Sequence, residues 1–282
     1  MQFAVSDGRL GVIADDSLYL VEDSLGPDPL LAALTQGLDL TEIGRSAIRV
    51  GSALPIPERL DPPIAKPSKI IAIGLNYSDH CREAGLDAPE SPVSFSKHPS
   101  SVIGHGHSIP LDATISDQVD YEVELAVIIG ERCSDLDEKE SLDVVAGYTI
   151  ANDVSARDVQ VAEGQFVRAK SFDGFCPVGP VMVTADSITD PQALALRTEV
   201  SGELLQDSST AEMLFPVRTL LAHVSRRTTL LPGDLILTGT PSGIGHVRLP
   251  PRYLNEGDVV RCSIEGIGTL SNPVIAAPPV TT

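Results

Sequence analysis

One run of eleven residues, Val119-Asp-Tyr-Glu-Val-Glu-Leu-Ala-Val-Ile-Ile129, limits the folds open to this chain more than any other segment. Apolar side chains stand at every second position (Val119, Tyr121, Val123, Leu125, Val127, Ile129), the period of a β-strand with one face in a core. The opposite face opens with Asp120, Glu122 and Glu124. Carboxylates this close repel one another, so a folded chain keeps them in water or around a cation. Taken alone, the strand favours water.

The rest of the chain supplies more strands of this kind. Short β-branched or apolar runs at 70–73, 93–96, 145–152, 180–184, 196–200, 235–238 and 259–264 are separated by turns, and 23 Gly and 22 Pro suit such a layout. Helical spacing is confined to 78–84, 156–162 and 215–225 in the main body. Regular strand–helix alternation is missing, so the expectation is a β-rich α+β fold and not a doubly wound sheet. Residues 1–65 read as a small N-terminal unit: two or three strands punctuated by Asp-Gly and Asp-Asp, then helical segments, the first with Asp28 as cap and Pro29 at its first position. A proline-rich connector over 54–67 leads into the main domain, 66–282.

Composition excludes several classes of function. A net charge of −19 argues against nucleic acid and anionic membranes as partners. No apolar run is long enough to span a bilayer, and the N-terminus lacks the basic and apolar regions of a signal peptide. Cys81, Cys133, Cys176 and Cys262 lie far apart with no CxxC pair, which points to reduced thiols and a cytoplasmic protein. A negative protein that binds a negative substrate needs local positive charge, and only five lysines are present.

Four constellations carry possible chemistry. Asp153 ends a strand at Asn152 and precedes a helical stretch, where it reads as a helix cap. If it faces Glu122 and Glu124 instead, the three carboxylates make an all-oxygen site suited to Mg²⁺ or Mn²⁺, with Ca²⁺ tolerated. His80 and Glu83 stand three apart on a short helix, either as a surface pair or as a base with its orienting carboxylate. Lys170 and Lys97 each face solvent or stabilise developing negative charge. The glycine-rich Thr238-Gly-Thr-Pro-Ser-Gly-Ile-Gly245 lacks the Gly-Lys ending of a phosphate loop; it is either a plain turn or a loop whose N–H groups and Thr240 hydroxyl hold a small carboxylate. No GxSxG elbow or dinucleotide fingerprint occurs.

Together these segments resemble the fumarylacetoacetate hydrolase family. The likeness runs in order through Gly74-Leu-Asn-Tyr-Ser-Asp-His, Phe95-Ser-Lys-His-Pro, Asp120-Tyr-Glu-Val-Glu-Leu, Gly147-Tyr-Thr-Ile-Ala-Asn-Asp-Val-Ser-Ala-Arg-Asp, Lys170-Ser-Phe-Asp, Gly233-Asp-Leu-Ile-Leu-Thr-Gly-Thr-Pro and Leu254-Asn-Glu-Gly-Asp. It implies a mixed β-roll catalytic domain with a small N-terminal α/β appendage, a homodimer, and a divalent metal on Glu122, Glu124 and Asp153. His80 and Glu83 match the family's catalytic pair on a lid. Lys170, Arg157, Gln160 and Thr240 match substrate and oxyanion contacts, with Lys97 beside them. Asp120 has no ligand role in the resemblance and reads as a neighbour of the metal or a solvated residue. Cys81 stands where many relatives carry Ala; it leaves the chemistry intact, and a thiol beside an imidazole suggests an oxidation-sensitive lid.

The activity so implied is hydrolysis of a carbon–carbon bond in a β-diketo acid of acylpyruvate or fumarylpyruvate type. His80, oriented by Glu83, activates water, and pyruvate leaves as its enolate. Decarboxylation of oxaloacetate and isomerisation of a hydroxydienedioate are the alternatives on the same metal site. A carboxylate-rich cation-binding module is the non-enzymatic one.

Overall fold

The structure is a computed structural model that describes residues 1–22 and 25–277. Strand Val123–Ile129 lies near the middle of a ten-stranded mixed sheet, between Val145–Asn152 and Leu235–Leu237, antiparallel to both. Leu235–Leu237 then pairs in parallel with Ile70–Gly74, which is followed by Val93–Lys97 at the edge. On the other side Val145–Asn152 joins Cys176–Thr184, and the N-terminal strands Gln2–Ser6, Arg9–Ala14 and Ser17–Leu20 complete the row. A second sheet of five strands orders as Glu203–Ser209, Ala195–Val200, Val259–Ile264, Gly268–Ala276 and Ile109–Leu111.

Both faces of Val123–Ile129 are buried. Val123, Leu125, Val127 and Ile129 belong to one core with Leu196, Val260 and Cys262 of the five-stranded sheet. Ala126 and Ile128 belong to another, with Phe3, Leu30 and Ile64 from the first 65 residues. The face that begins with carboxylates thus turns apolar after Glu124, and only that end of the strand is left for charge. The expected strand also breaks in two, into Val119–Asp120 and Val123–Ile129. Side chains of other elements take over the ladder there: Glu122 N donates to Asn152 Oδ1 at 2.9 Å and Val123 N to Gln206 Oε1 at 3.0 Å. The break turns Glu122 and Glu124 toward the end of the neighbouring strand.

The first 65 residues form three strands and two helices, Pro29–Thr35 and Leu40–Val50. Asp7 and Gly8, like Asp15 and Asp16, take positive φ in tight hairpin turns. Asp28 precedes the first helix but does not cap it; its Oδ2 accepts from Ala65 N and Lys66 N at 2.9 and 2.8 Å, tying the helix to the connector. Strand Gln2–Ser6 pairs with Cys176–Thr184, so the sheet runs without a break from these residues into the remainder of the chain. Among the described residues no helix is long and apolar enough to cross a membrane.

Candidate active site

Strand ends deliver the acids. Glu124 opens Val123–Ile129, Glu122 lies in the break before it, and Asp153 follows Val145–Asn152, whose Ala151 is opposite Glu124. One oxygen from each of the three lies within 4.8 Å of the others, and all three residues are buried. Asp153 is therefore not a helix cap; the next helix, Arg157–Glu163, has Ala156 at its cap position.

Three cations surround the acids. Lys170 Nζ bridges Glu122 Oε2 at 2.9 Å and Asp153 Oδ2 at 2.7 Å. Arg157 holds Glu122 Oε1 at 2.5 Å and Asp120 Oδ2 at 2.9 Å, and reaches Gln160 Oε1 at 3.1 Å. Lys97, expected to touch substrate, is instead sealed beneath the acids at 1 % exposure. Its Nζ binds Asp153 Oδ1 at 2.6 Å, Val154 O at 3.4 Å and the carbonyl of Lys170. A lysine so deep in a protein needs this full set of partners.

Proton affinities within the trio diverge. Burial raises that of Glu122, but Lys170 and then Arg157 outweigh it and hold the carboxyl down at about 2. For Glu124, burial and then repulsion from Asp153 and Glu122 push the value well above the ordinary carboxylate range. Its protein partner is the backbone N–H of Gly239, at 2.7 Å from Oε2. Burial opposes the charge on Lys170, yet Asp153 and Glu122 keep it protonated. The excess repulsion falls on one buried acid, which is the condition a divalent cation relieves. The donor set, all carboxylate oxygen, fits Mg²⁺ or Mn²⁺.

Over the trio lies a cavity of about 230 Å³, lined by Glu122, Asp153, Lys170, Arg157 and Gln160, with His80, Thr240 and His246 around it. Helix Ser78–Ala84 covers one side. His80 is buried; its Nδ1 is 3.8 Å from Glu83 Oε2, beyond hydrogen-bond reach, and has no hydrogen-bond partner among the described residues. Both Glu83 oxygens accept from Gly243 N, at 3.1 and 2.9 Å. The neighbouring Asp79 accepts from Ser208 Oγ at 2.7 Å and Ser242 Oγ at 3.1 Å. This helix is moored to the loop across the cavity. Cys81 faces inward, with Sγ 3.6 Å from Leu75 O, and burial raises its thiol. A raised thiol is less reactive, not more.

The glycine-rich turn holds carboxylates, but they are the protein's own. Gly239 N donates to Glu124, Gly243 N to Glu83, and Gly245 N to Asp120 Oδ1 at 2.7 Å. Gly239 has φ +95°, and a Cβ there would stand 2.8 Å from that of Asn76. Thr240 does line the cavity, and its Oγ1 accepts from Gln206 Nε2 at 2.9 Å, which leaves its hydroxyl hydrogen to donate elsewhere. Asp120 is fully buried, not solvated. It accepts four hydrogen bonds, from Arg157 Nε, Tyr121 N, Gly245 N and His246 N.

Sequence reasoning missed Gln206. It is fully buried, braces Val123 and Thr198 on one side, and donates to Thr240 and Pro241 O on the other. Its strand, Glu203–Ser209, is too polar to show a core face, and no motif singles it out.

A sheet-rich α+β fold with a buried carboxylate trio, an attendant lysine and arginine, and a short helix carrying His and Glu defines a protein of fumarylacetoacetate hydrolase type. The family model described as fumarylacetoacetate (FAA) hydrolase C-terminal matches residues 69–275. Oxaloacetate tautomerase fahd2, mitochondrial, of Xenopus laevis is 42 % identical over 289 residues, 98 % of this chain and 89 % of the frog protein. The solved fumarylacetoacetate hydrolase from psychrophilic Exiguobacterium antarcticum is 43 % identical with a TM-score of 0.87, covering 98 % of this chain and 99 % of that one. A maleylpyruvate hydrolase from Sphingobium sp. SYK-6, solved with manganese(II) and pyruvate, is 29 % identical with a TM-score of 0.84, covering 99 % and 100 %. This chain belongs to the fumarylacetoacetate hydrolase family.

Proposed function

We propose that the protein is an enzyme that interconverts the keto and enol forms of a short 2-oxo acid, with Glu122, Glu124 and Asp153 holding Mg²⁺ or Mn²⁺. The observation that carries this reading is the state of the His80–Glu83 pair. Activation of water for hydrolysis needs an imidazole oriented by its acid, whereas here Glu83 is engaged by Gly243 N and stands 3.8 Å from Nδ1. Proton transfer within one substrate asks only for a base beside the carbon, and His80 lines the cavity. The similarity to a named oxaloacetate tautomerase supports the same choice.

Glu122, Glu124 and Asp153 would hold a divalent cation, which would supply Lewis acidity toward the 2-oxo group. His80 takes a proton from the carbon next to the 2-oxo carbon and returns a proton to the 2-oxo oxygen. One hydrogen changes position and none is consumed. Lys170, fixed by two carboxylates, presents positive charge where the oxygen becomes negative, and the Thr240 hydroxyl adds a donor. The helix above carries His80 into the cavity and lines one side of it.

Hydrolysis of a diketo acid is the second reading. It is favoured by the closeness of Glu83 to His80, since a small shift of the helix would make the hydrogen bond, and by the likeness to maleylpyruvate hydrolase. The reading includes a homodimer, testable by light scattering.

The deciding assay follows loss of the enol absorbance of oxaloacetate with Mn²⁺-loaded protein, alongside acid release from acetylpyruvate and fumarylpyruvate. Tautomerisation should be the faster activity and should fall by about 10²–10⁴-fold in His80→Ala. An undiminished rate in that variant refutes the assigned base. Faster diketo-acid cleavage replaces the first reading with the second.

A further inference from the structure

We propose that His246 is a specificity-determining residue whose imidazole receives a second carboxylate of the substrate, at the end remote from the 2-oxo group. This rests on the reading that the cavity takes 2-oxo acids.

The argument begins with how charge is committed around the cavity. Lys170 and Arg157 each bind two buried carboxylates, so the positive charge deep in the site is already balanced by the acids there. A substrate with a second carboxylate needs another donor, and the cavity wall offers one at its mouth. His246 lines the same space and is exposed.

His246 is also held in place. Its backbone N–H donates to Asp120 Oδ2 at 3.0 Å, the same oxygen that accepts from Arg157 Nε at 2.9 Å. One buried carboxylate thereby fixes both the arginine inside the cavity and the histidine at its mouth. On the ring, Nδ1 lies 2.9 Å from Tyr253 Oη, and that hydroxyl donates to Gln118 Oε1 at 3.2 Å. The contact with Tyr253 fixes the orientation of the ring, whichever partner donates. Nε2 is left without a protein partner among the described residues. A carboxylate arriving there meets a ring already oriented, with Nε2 free to donate a hydrogen bond to it. Apolar neighbours such as Leu86 and Val161 offer a second carboxylate nothing comparable.

The test compares two ligands that cannot enolise and have the same four-carbon chain, 2-hydroxysuccinate with a second carboxylate and 2-hydroxybutanoate without it. Their binding to Mn²⁺-loaded protein is measured by calorimetry for the wild type, His246→Leu and His246→Gln. Expected for His246→Leu is about a tenfold weaker affinity for the diacid, about 1.4 kcal/mol, with the monoacid within twofold. His246→Gln, which keeps a neutral donor, should fall between. Equal losses for both ligands, or none for either, overturn the role of His246 and leave the 2-oxo-acid reading intact. Failure of both ligands to bind the wild type rejects that reading and this role with it.

Discussion

Replacing Lys97 by Met tests the electrostatic logic of the site without touching a residue that lines the cavity. Methionine matches the length of the stem and removes the ammonium. Asp153 then loses its partner at 2.6 Å and keeps Lys170 at 2.7 Å, while the carbonyls of Val154 and Lys170 lose a donor. Neither side chain of the Lys97–Asp153 pair has any exposure, so water cannot compensate. Breaking one partner from a buried pair costs about 3–5 kcal/mol. At about 2–4 °C per kcal/mol, the metal-free variant should melt about 6–20 °C below the wild type. Saturating Mn²⁺ gives Asp153 another cation, so the gap between variant and wild type should narrow when both are loaded. The assay is a thermal melt of the two proteins with and without the ion. A metal-free variant melting within about 2 °C of the wild type would refute the claim that Lys97 neutralises Asp153. An unchanged gap on loading would refute the claim that the ion takes over that task.

Two further outcomes follow from the acids themselves. Because the folded-state value of Glu124 is raised above its ordinary 4.5, the stability it contributes to the metal-free protein is present below that value and is lost as pH rises through the raised one. Binding the ion requires the proton to leave, so Mn²⁺ affinity should rise about tenfold per pH unit across that window, with about one proton released; calorimetry in buffers of different ionisation enthalpy measures both, and an affinity flat with pH contradicts it. Asp120→Asn should prove far from mild: an amide cannot accept at both oxygens as Asp120 does from Arg157, His246 N, Gly245 N and Tyr121 N. Urea unfolding should show a loss of about 3–5 kcal/mol, and a loss under 1 kcal/mol would count against the role given to this carboxylate.

The sequence was most legible where one local rule governed. Helix Ser78–Ala84 matches its expected limits because Gly85, in the left-handed region, stops it. The alternating strand placed Leu125, Val127 and Ile129 in a core correctly. Legibility ended where partners came from far along the chain. The divided strand depends on Asn152 and Gln206, and the burial of Ala126 and Ile128 depends on the first 65 residues. Lys97 looked like a ligand contact because the resemblance set it beside Lys170, but its side chain ends under the acids. Asp120 looked spare because it holds no ion in the resemblance, and its four donors lie 1, 37, 125 and 126 positions away. Only the assembled fold reveals those.

The turn from Thr238 to Gly245 has a consequence for how such a site can change. Its amides at 239, 243 and 245 serve a metal-ligand candidate, the covering helix and the carboxylate that fixes the rim. Three tasks that a chemist would keep separate share one short stretch of backbone. Substitutions within it should therefore be non-additive with changes at Glu124, Glu83 and Asp120, even though these lie on different elements. Attempts to retune substrate preference will meet that epistasis first. Diversifying side chains at positions such as 246, whose backbone is anchored while its ring is exposed, leaves the shared scaffold undisturbed.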